Sequence, residues 1–344
     1  MLNYLIKMRR TFPKKLVILG VFLTFFGVDF AFAQTPKTPP MPPRTPRSNA
    51  KIIRNDSDTP AEKSIAVDAK VNISLCVNDG KLKVNGWERN EVRAFVSDGS
   101  QVGFRVLQKG RQNDNPVWIM VVGFDPMINK EVKPDECLSG DLIELDVPRN
   151  ATVNVKSNES ETTIDSVGKV SVENVSGDIF LNGITRGIEA KTYEGDVIVK
   201  KSSGAMMLLS TTGNIVAFDV GADEIGDIFK AKTSNGAITL KNVGQRQIEV
   251  GSNSGSINFN GEFLNGGQYI FGTSNGSITL NIPQNSSSKI NASFGFGAFS
   301  SEIPLQNVIK NSPSRVQNLS AQIGAGDATL KLSTVSGAIL IKKQ

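Results

Sequence analysis

Three acidic residues recur at one point of a repeat. Glu161, Asp178 and Asp196 each follow the residue that closes a polar turn, which is Ser160, Gly177 and Gly195 in turn. If the repeats stack, equivalent residues stand about 5 Å apart. Carboxylates that close repel unless they are screened or bridged. A Ca²⁺ ion, which takes oxygen ligands at about 2.3–2.6 Å, could bridge Glu161, Asp178 and Asp196, although only part of the six to eight oxygens such an ion takes is visible. A pair about 5–5.5 Å apart would also suit a retaining glycosidase. The bland alternative is a solvated acidic stripe. An enzyme further needs a cleft built by long loops, whereas these repeats are short and aromatic residues make up 7% of the chain. No catalytic residue and no resident cofactor is assigned, Ca²⁺ being the one ion the pattern allows.

What is missing narrows the chemistry further. The chain contains no histidine. That removes Ser-His-Asp and Cys-His nucleophiles, the usual zinc enzymes and histidine pH switching. Two cysteines, Cys76 and Cys137, have no zinc or redox spacing. An even count in an exported chain leaves open a Cys76–Cys137 disulfide or two buried thiols.

The elements that would position these residues are strands. Gly (32), Ser, Thr, Asn, Val and Ile dominate the 344 residues, and no helical stretch is evident after residue 35. Lys14 and Lys15 precede an apolar run from Leu16 to Val28, and Ala31-Phe32-Ala33 is a small-x-small cleavage site, so residues 1–33 read as a Sec signal peptide. The run is shorter than the roughly 20 residues of a membrane helix, so no transmembrane span is expected after cleavage. Residues 34–63, with "TPKTPPMPPRTPR", read as a proline-rich disordered linker. Of the net charge of +5, +4 lies in residues 1–33 and +3 in residues 34–63, which leaves −2 for the rest. The basic balance is therefore not a nucleic-acid-binding face. Residues 64–148 hold short alternating strands such as "GKLKVNGW" and "VWIMVVGF" and form an N-terminal β cap region. Trp87 and Trp118 fall there as core or capping aromatics.

From residue 149 to 344 the chain repeats. "ENVSGDIFLNGI", "AKTYEGDVIVKK", "LSTTGNIVAFDV", "AKTSNGAITLKNV", "GSNSGSINFNGE" and "GTSNGSITLNIP" align on Gly177, Gly195, Gly213, Gly236, Gly255 and Gly276, at intervals of 18, 18, 23, 19 and 21 residues. Apolar residues follow each Gly at fixed offsets, as in Ile238 and Leu240 or Ile278 and Leu280. A whole unit of about 20 residues with like residues at like places is the signature of a solenoid. The fold class is all-β, a right-handed parallel β-helix or solenoid, with an antiparallel β-sandwich as the alternative. Each turn Gly is expected to supply left-handed φ. Thr233, Ser234, Asn235, Ser252, Asn253, Thr273, Ser274 and Asn275 are expected to form polar ladders along one edge. The final "AILIKKQ" would be an edge strand guarded by Lys342 and Lys343.

The order of the pieces carries a resemblance. "GKLKVNGWERNEV", a strand ending "LDVP", several T-x-x-G-x-I coils and then "ITLNIP" resemble a bacterial "putative-adhesin" family, exported domains of unknown function with a toast-rack-like β-solenoid head. The likeness covers about residues 64–344 and departs at Gln284 to Asn318. It implies a surface or periplasmic solenoid and supplies no catalytic residue. Taken together, the chain reads as an exported, non-enzymatic envelope protein, an adhesin or scaffold in the periplasm, on the outer surface or outside the cell. The alternative is a carbohydrate-active lyase or glycosidase on the same fold. The expected partner is an envelope polymer, a glycan or a protein surface, with self-association through open strand edges as a further option and no nucleic acid.

Overall fold

A computed structural model describes residues 62–111, 114–124, 137–224, 226–311 and 316–344. The expected signal peptide, and all of the linker except Glu62 and Lys63, lie outside these. Among the described residues every regular element is a strand.

Each repeat folds as two short strands joined at the turn Gly. The first strands, such as Ile188–Glu194, Met206–Thr212 and Ile228–Asn235, pair in parallel and build one sheet. The second strands, such as Val197–Lys200, Ile215–Gly221 and Ile238–Gly244, build another in the same way. This all-parallel stacking, not an antiparallel sandwich, is the β-solenoid expected from the period. Alternation sends every second side chain inward, so Ile179, Val197, Ile215, Ile238, Ile257 and Ile278 form one fully buried column. Where Phe259 from this sheet meets Tyr269 and Phe271 from the other, the rings pack at a tilt with centroids 5.4–6.5 Å apart. The Tyr269 hydroxyl accepts the Leu264 N–H at 2.7 Å, and burial pushes its pKa up.

The turns explain the T-x-x-G motif. An ideal Cβ on Gly236 would lie 2.0 Å from the Gly213 carbonyl oxygen, and one on Gly276 would lie 2.1 Å from that of Gly255. Gly255 and Gly337 meet the turn glycine of the layer before them at 1.9 and 2.0 Å. The column is a glycine spine, and close approach is its common cause. Left-handed φ is not: it occurs at Gly177 and Gly195 but not at Gly236 or Gly276. Three residues before Gly213, Gly236, Gly255, Gly276 and Gly337, a buried hydroxyl caps the carbonyl that the spine crowds. Ser210, Thr233, Ser252, Thr273 and Thr334 donate to the oxygens of Gly195, Gly213, Gly236, Gly255 and Gly276 at 2.9–3.0 Å. Of the expected polar ladder, Thr233, Ser252 and Thr273 therefore bond inward, whereas Asn235, Asn253 and Asn275 are exposed.

Both ends of the stack depart from chain order. The long strand Asn72–Trp87 runs through both sheets. It pairs with Thr152–Asp165 on one side and with Pro116–Phe124 and Leu138–Pro148 on the other. Antiparallel strands close that end, Gln101–Lys109 on one sheet and Glu91–Ser97 followed by Glu62–Ala66 on the other. At the opposite end, Ala328–Ser336 lies between Gln268–Asn275 and Ser288–Phe296. Likewise Ile339–Lys343 lies between Ile278–Ile282 and Phe299–Ser301. The spine accordingly runs Gly276, Gly337, Gly297. Lys342 and Lys343 do not guard an edge: their strand is interior, and the irregular segment after Pro283 supplies the outer layer. Its outermost strands, Gln317–Ile323 and Gln306–Asn311, are antiparallel.

Cys76 and Cys137 are bonded, with Cα atoms 4.5 Å apart and 61 residues between them in sequence. The bond ties the interior strand Asn72–Trp87 to the start of the strand outside it. Replacing both cysteines by serine is expected to lower stability by about 2–4 kcal/mol through the freed unfolded chain. Urea denaturation of oxidised, reduced and double-serine protein checks this, and equal midpoints for all three would contradict it.

Candidate functional site

The acidic positions come together as the repeat requires, and one oxygen of each aspartate is engaged by a backbone amide. Asp178 Oδ1 accepts the Asp196 backbone N–H at 2.8 Å. Asp196 Oδ1 accepts that of Asn214 at 2.7 Å, and Asn214 Oδ1 accepts that of Ala237 at 2.9 Å. Ser256 and Ser277 continue the series toward Ser277 and Ala338. Each side chain thus holds an amide of the next layer, which a carboxylate, an amide or a hydroxyl oxygen can all do. Glu161 turns instead to Lys81, 3.7 Å away. Among the described residues no three acidic, cysteine or histidine side chains converge as metal ligands. Adding Ca²⁺ is therefore expected to leave the melting temperature unchanged, while Asp178→Ala with Asp196→Ala lowers stability by about 1–2 kcal/mol. A Ca²⁺-dependent rise that the double variant abolishes would support the ion-bridge reading instead.

A different feature of the same corner forms a site. The residue two places before each spine position points outward from the turn. In most coils it is polar, as in Thr211, Ser234, Asn253 and Ser274. It is apolar and exposed at Val335, near the far end, and in two successive coils, where Val175 is 53% exposed and Tyr193 is 59% exposed. Beside them, Lys156, Glu173 and Lys191 stand in register across three strands on the outer face. The Lys191 ammonium pairs with Glu173 at 3.0 Å, which leaves Lys156 with no ion-pair partner among the described residues. Cys76, in register with Lys156, brings the disulfide to the wall. Asn158, whose amide donates to Asn78 at 2.9 Å, closes the end. Together they line a groove of about 330 Å³. A second groove, about 230 Å³, lies between Phe294, Phe299, Lys310 and Leu319 in the outer layer at the far end.

None of the groove residues except Cys76 stood out in the sequence as a site. The available signal was Val175 and Tyr193 at a place where the coils on either side carry Asn158 and Thr211. The two tryptophans contribute nothing here. The Trp87 indole donates to the Glu91 carbonyl at 2.8 Å beneath Arg89, and that of Trp118 donates to Ser74 at 3.3 Å.

The family model described as Toastrack DUF4097 matches residues 137–342. The chain belongs to the Toastrack DUF4097 family. The match starts at the disulfide cysteine Cys137 and runs through the segment Gln284 to Asn318, where the repeat is least regular. The Toastrack chain has two similar solved structures. A "putative cell adhesion protein" from Clostridium sporogenes is 11% identical, with a TM-score of 0.21, over 83% of this chain and 100% of that one. A "putative adhesin" from Parabacteroides distasonis is 10% identical, with a TM-score of 0.29, over 85% of this chain and 98% of that one. No curated protein matches the Toastrack chain.

Proposed function

We propose that this Toastrack chain is an exported, non-enzymatic protein of the cell envelope that acts as an adhesin or scaffold. In this reading it engages an envelope polymer, a glycan or a protein surface. The observation that carries the reading is the groove beside Tyr193, an apolar and charged surface on a rigid stack that has no need of it. Parallel strands position such a groove without mobile loops, which suits binding better than turnover. The signal-like N-terminus and the Cys76–Cys137 bond fit an oxidising compartment. The carbohydrate-active alternative would need two free carboxylates, and an oxygen of Asp178 and one of Asp196 are each given over to a backbone amide.

Cell fractionation combined with pull-down of purified chain on isolated envelopes tests the proposal. The chain is expected in the periplasmic, surface or extracellular fraction and bound to envelopes, with no product released from a hydrolase and lyase panel. A cytoplasmic chain, absence of envelope binding, or glycan cleavage would each contradict it.

A further inference from the structure

We propose that the groove between Lys156, Val175 and Tyr193 takes an acidic glycan, with a sugar ring against the tyrosine and a carboxylate on the lysine. This rests on the reading of that groove as the binding site.

The argument starts from the cost of the residues. The chain has three tyrosines and two tryptophans. Among the described residues, Tyr269 is in the core and both indoles are tied to neighbouring strands. Tyr193 is the described tyrosine left with most of its surface in water, 59% exposed, on a corner where the coils on either side of the Val175 and Tyr193 pair carry Asn158 and Thr211. With Val175 beside it, it exposes an apolar strip where the fold asks for none, which marks an interaction surface. A pyranose ring matches the strip, because its C–H face is apolar while its rim carries hydroxyls. Tyrosine presents the same combination of apolar body and polar tip.

Charge selects among glycans. Lys191 is already matched by Glu173, so the groove carries one net positive charge, and it sits on Lys156. A carboxylate reaching it would form a charge-assisted hydrogen bond, stronger than a neutral one. Asn158 at the end of the groove can meet ring hydroxyls through its amide carbonyl. The volume, about 330 Å³, is at the small end for ligand sites and fits one or two rings rather than a long chain. Nucleic acid is disfavoured, because the net charge after residue 63 is −2.

Isothermal titration of the chain with galacturonate and hyaluronan hexasaccharides, and with neutral maltohexaose, tests this. The acidic oligosaccharides are expected to bind, and more weakly as salt is raised. Tyr193→Ser should weaken them about tenfold or more, as loss of an aromatic anchor does. Lys156→Gln should remove the preference over maltohexaose. Both residues are exposed, so melting temperatures should stay at the parent value, and Ser234→Ala, farther along the same corner, should bind as the parent does. The proposal is overturned if no acidic hexasaccharide binds, if neutral and acidic sugars bind alike, or if neither groove variant changes affinity. It is also overturned if polyglutamate binds the groove more tightly than either acidic hexasaccharide and displaces both. Envelope binding that persists while these glycans fail would sink the glycan assignment alone; loss of envelope binding as well would remove the adhesin reading with it.

Discussion

A Gly236→Ala chain should be destabilised by about 3–5 kcal/mol, or should fail to fold around that layer. The added methyl would sit 2.0 Å from the Gly213 carbonyl oxygen. Both atoms belong to backbone held in register by flanking parallel strands, so neither can rotate away. Separating the layers there would lengthen the bond from the Thr233 hydroxyl to Gly213 and that from the Ala237 N–H to Asn214. The control is Gly221→Ala, where an ideal Cβ meets nothing within 4 Å and φ is not left-handed. That change should alter stability by no more than about 1 kcal/mol, and in the stabilising direction. Urea midpoints of the two variants provide the comparison. Similar shifts for both would mean that close approach does not explain the spine.

Ending the chain after Gly326 should remove on the order of 10 kcal/mol of burial, because Leu330, Leu332, Ile339 and Ile341 are each no more than 2% exposed. Coils up to Ile282 keep both their neighbours except at the last face, and nearest-neighbour stacking should preserve them. Ser288–Phe296 and Phe299–Ser301 lose the strands on which they rest. Limited proteolysis followed by mass determination should therefore yield a resistant fragment ending near Pro283. The informative contrary outcome is protection of residues 288–301. That would mean the outer layer can move one step inward and stack Gly297 directly on Gly276.

How far the sequence disclosed this architecture depends on which interactions repeat. The inward columns were legible, because Ile238, Leu240 and Val243 alternate with Thr239 and Lys241 and are buried as that pattern demands. The place of Asp178 and Asp196 was legible too, but their role was not. The run Asp178, Asp196, Asn214, Ser256, Ser277 shares an oxygen acceptor rather than a charge, which the acidic residues taken alone do not disclose. The order of layers at either end was hidden for a different reason. Repeat periodicity states what a coil looks like and not which coil it sits on. Ile278 can stack on Ile339 or on Phe299 with the same offsets, and Gly80, whose partner is Gly140, joins the spine from outside the regular repeats. The groove depends on two outward side chains that no periodic rule constrains.

The interleaved layer at the far end has a consequence for the time course of assembly. A chain emerging N-terminus first can add one coil after another as far as Ile282, each on a finished neighbour. The next segment, from Ser288 to Ser301, has no finished surface of its own to rest on until residues 328–343 arrive and slide beneath it. The stack thus stays open at its growing face until late in synthesis, and then closes in a single step. A chain cut short in that interval would expose an unpaired parallel edge, the kind of surface that quality-control proteases and chaperones read as unfinished.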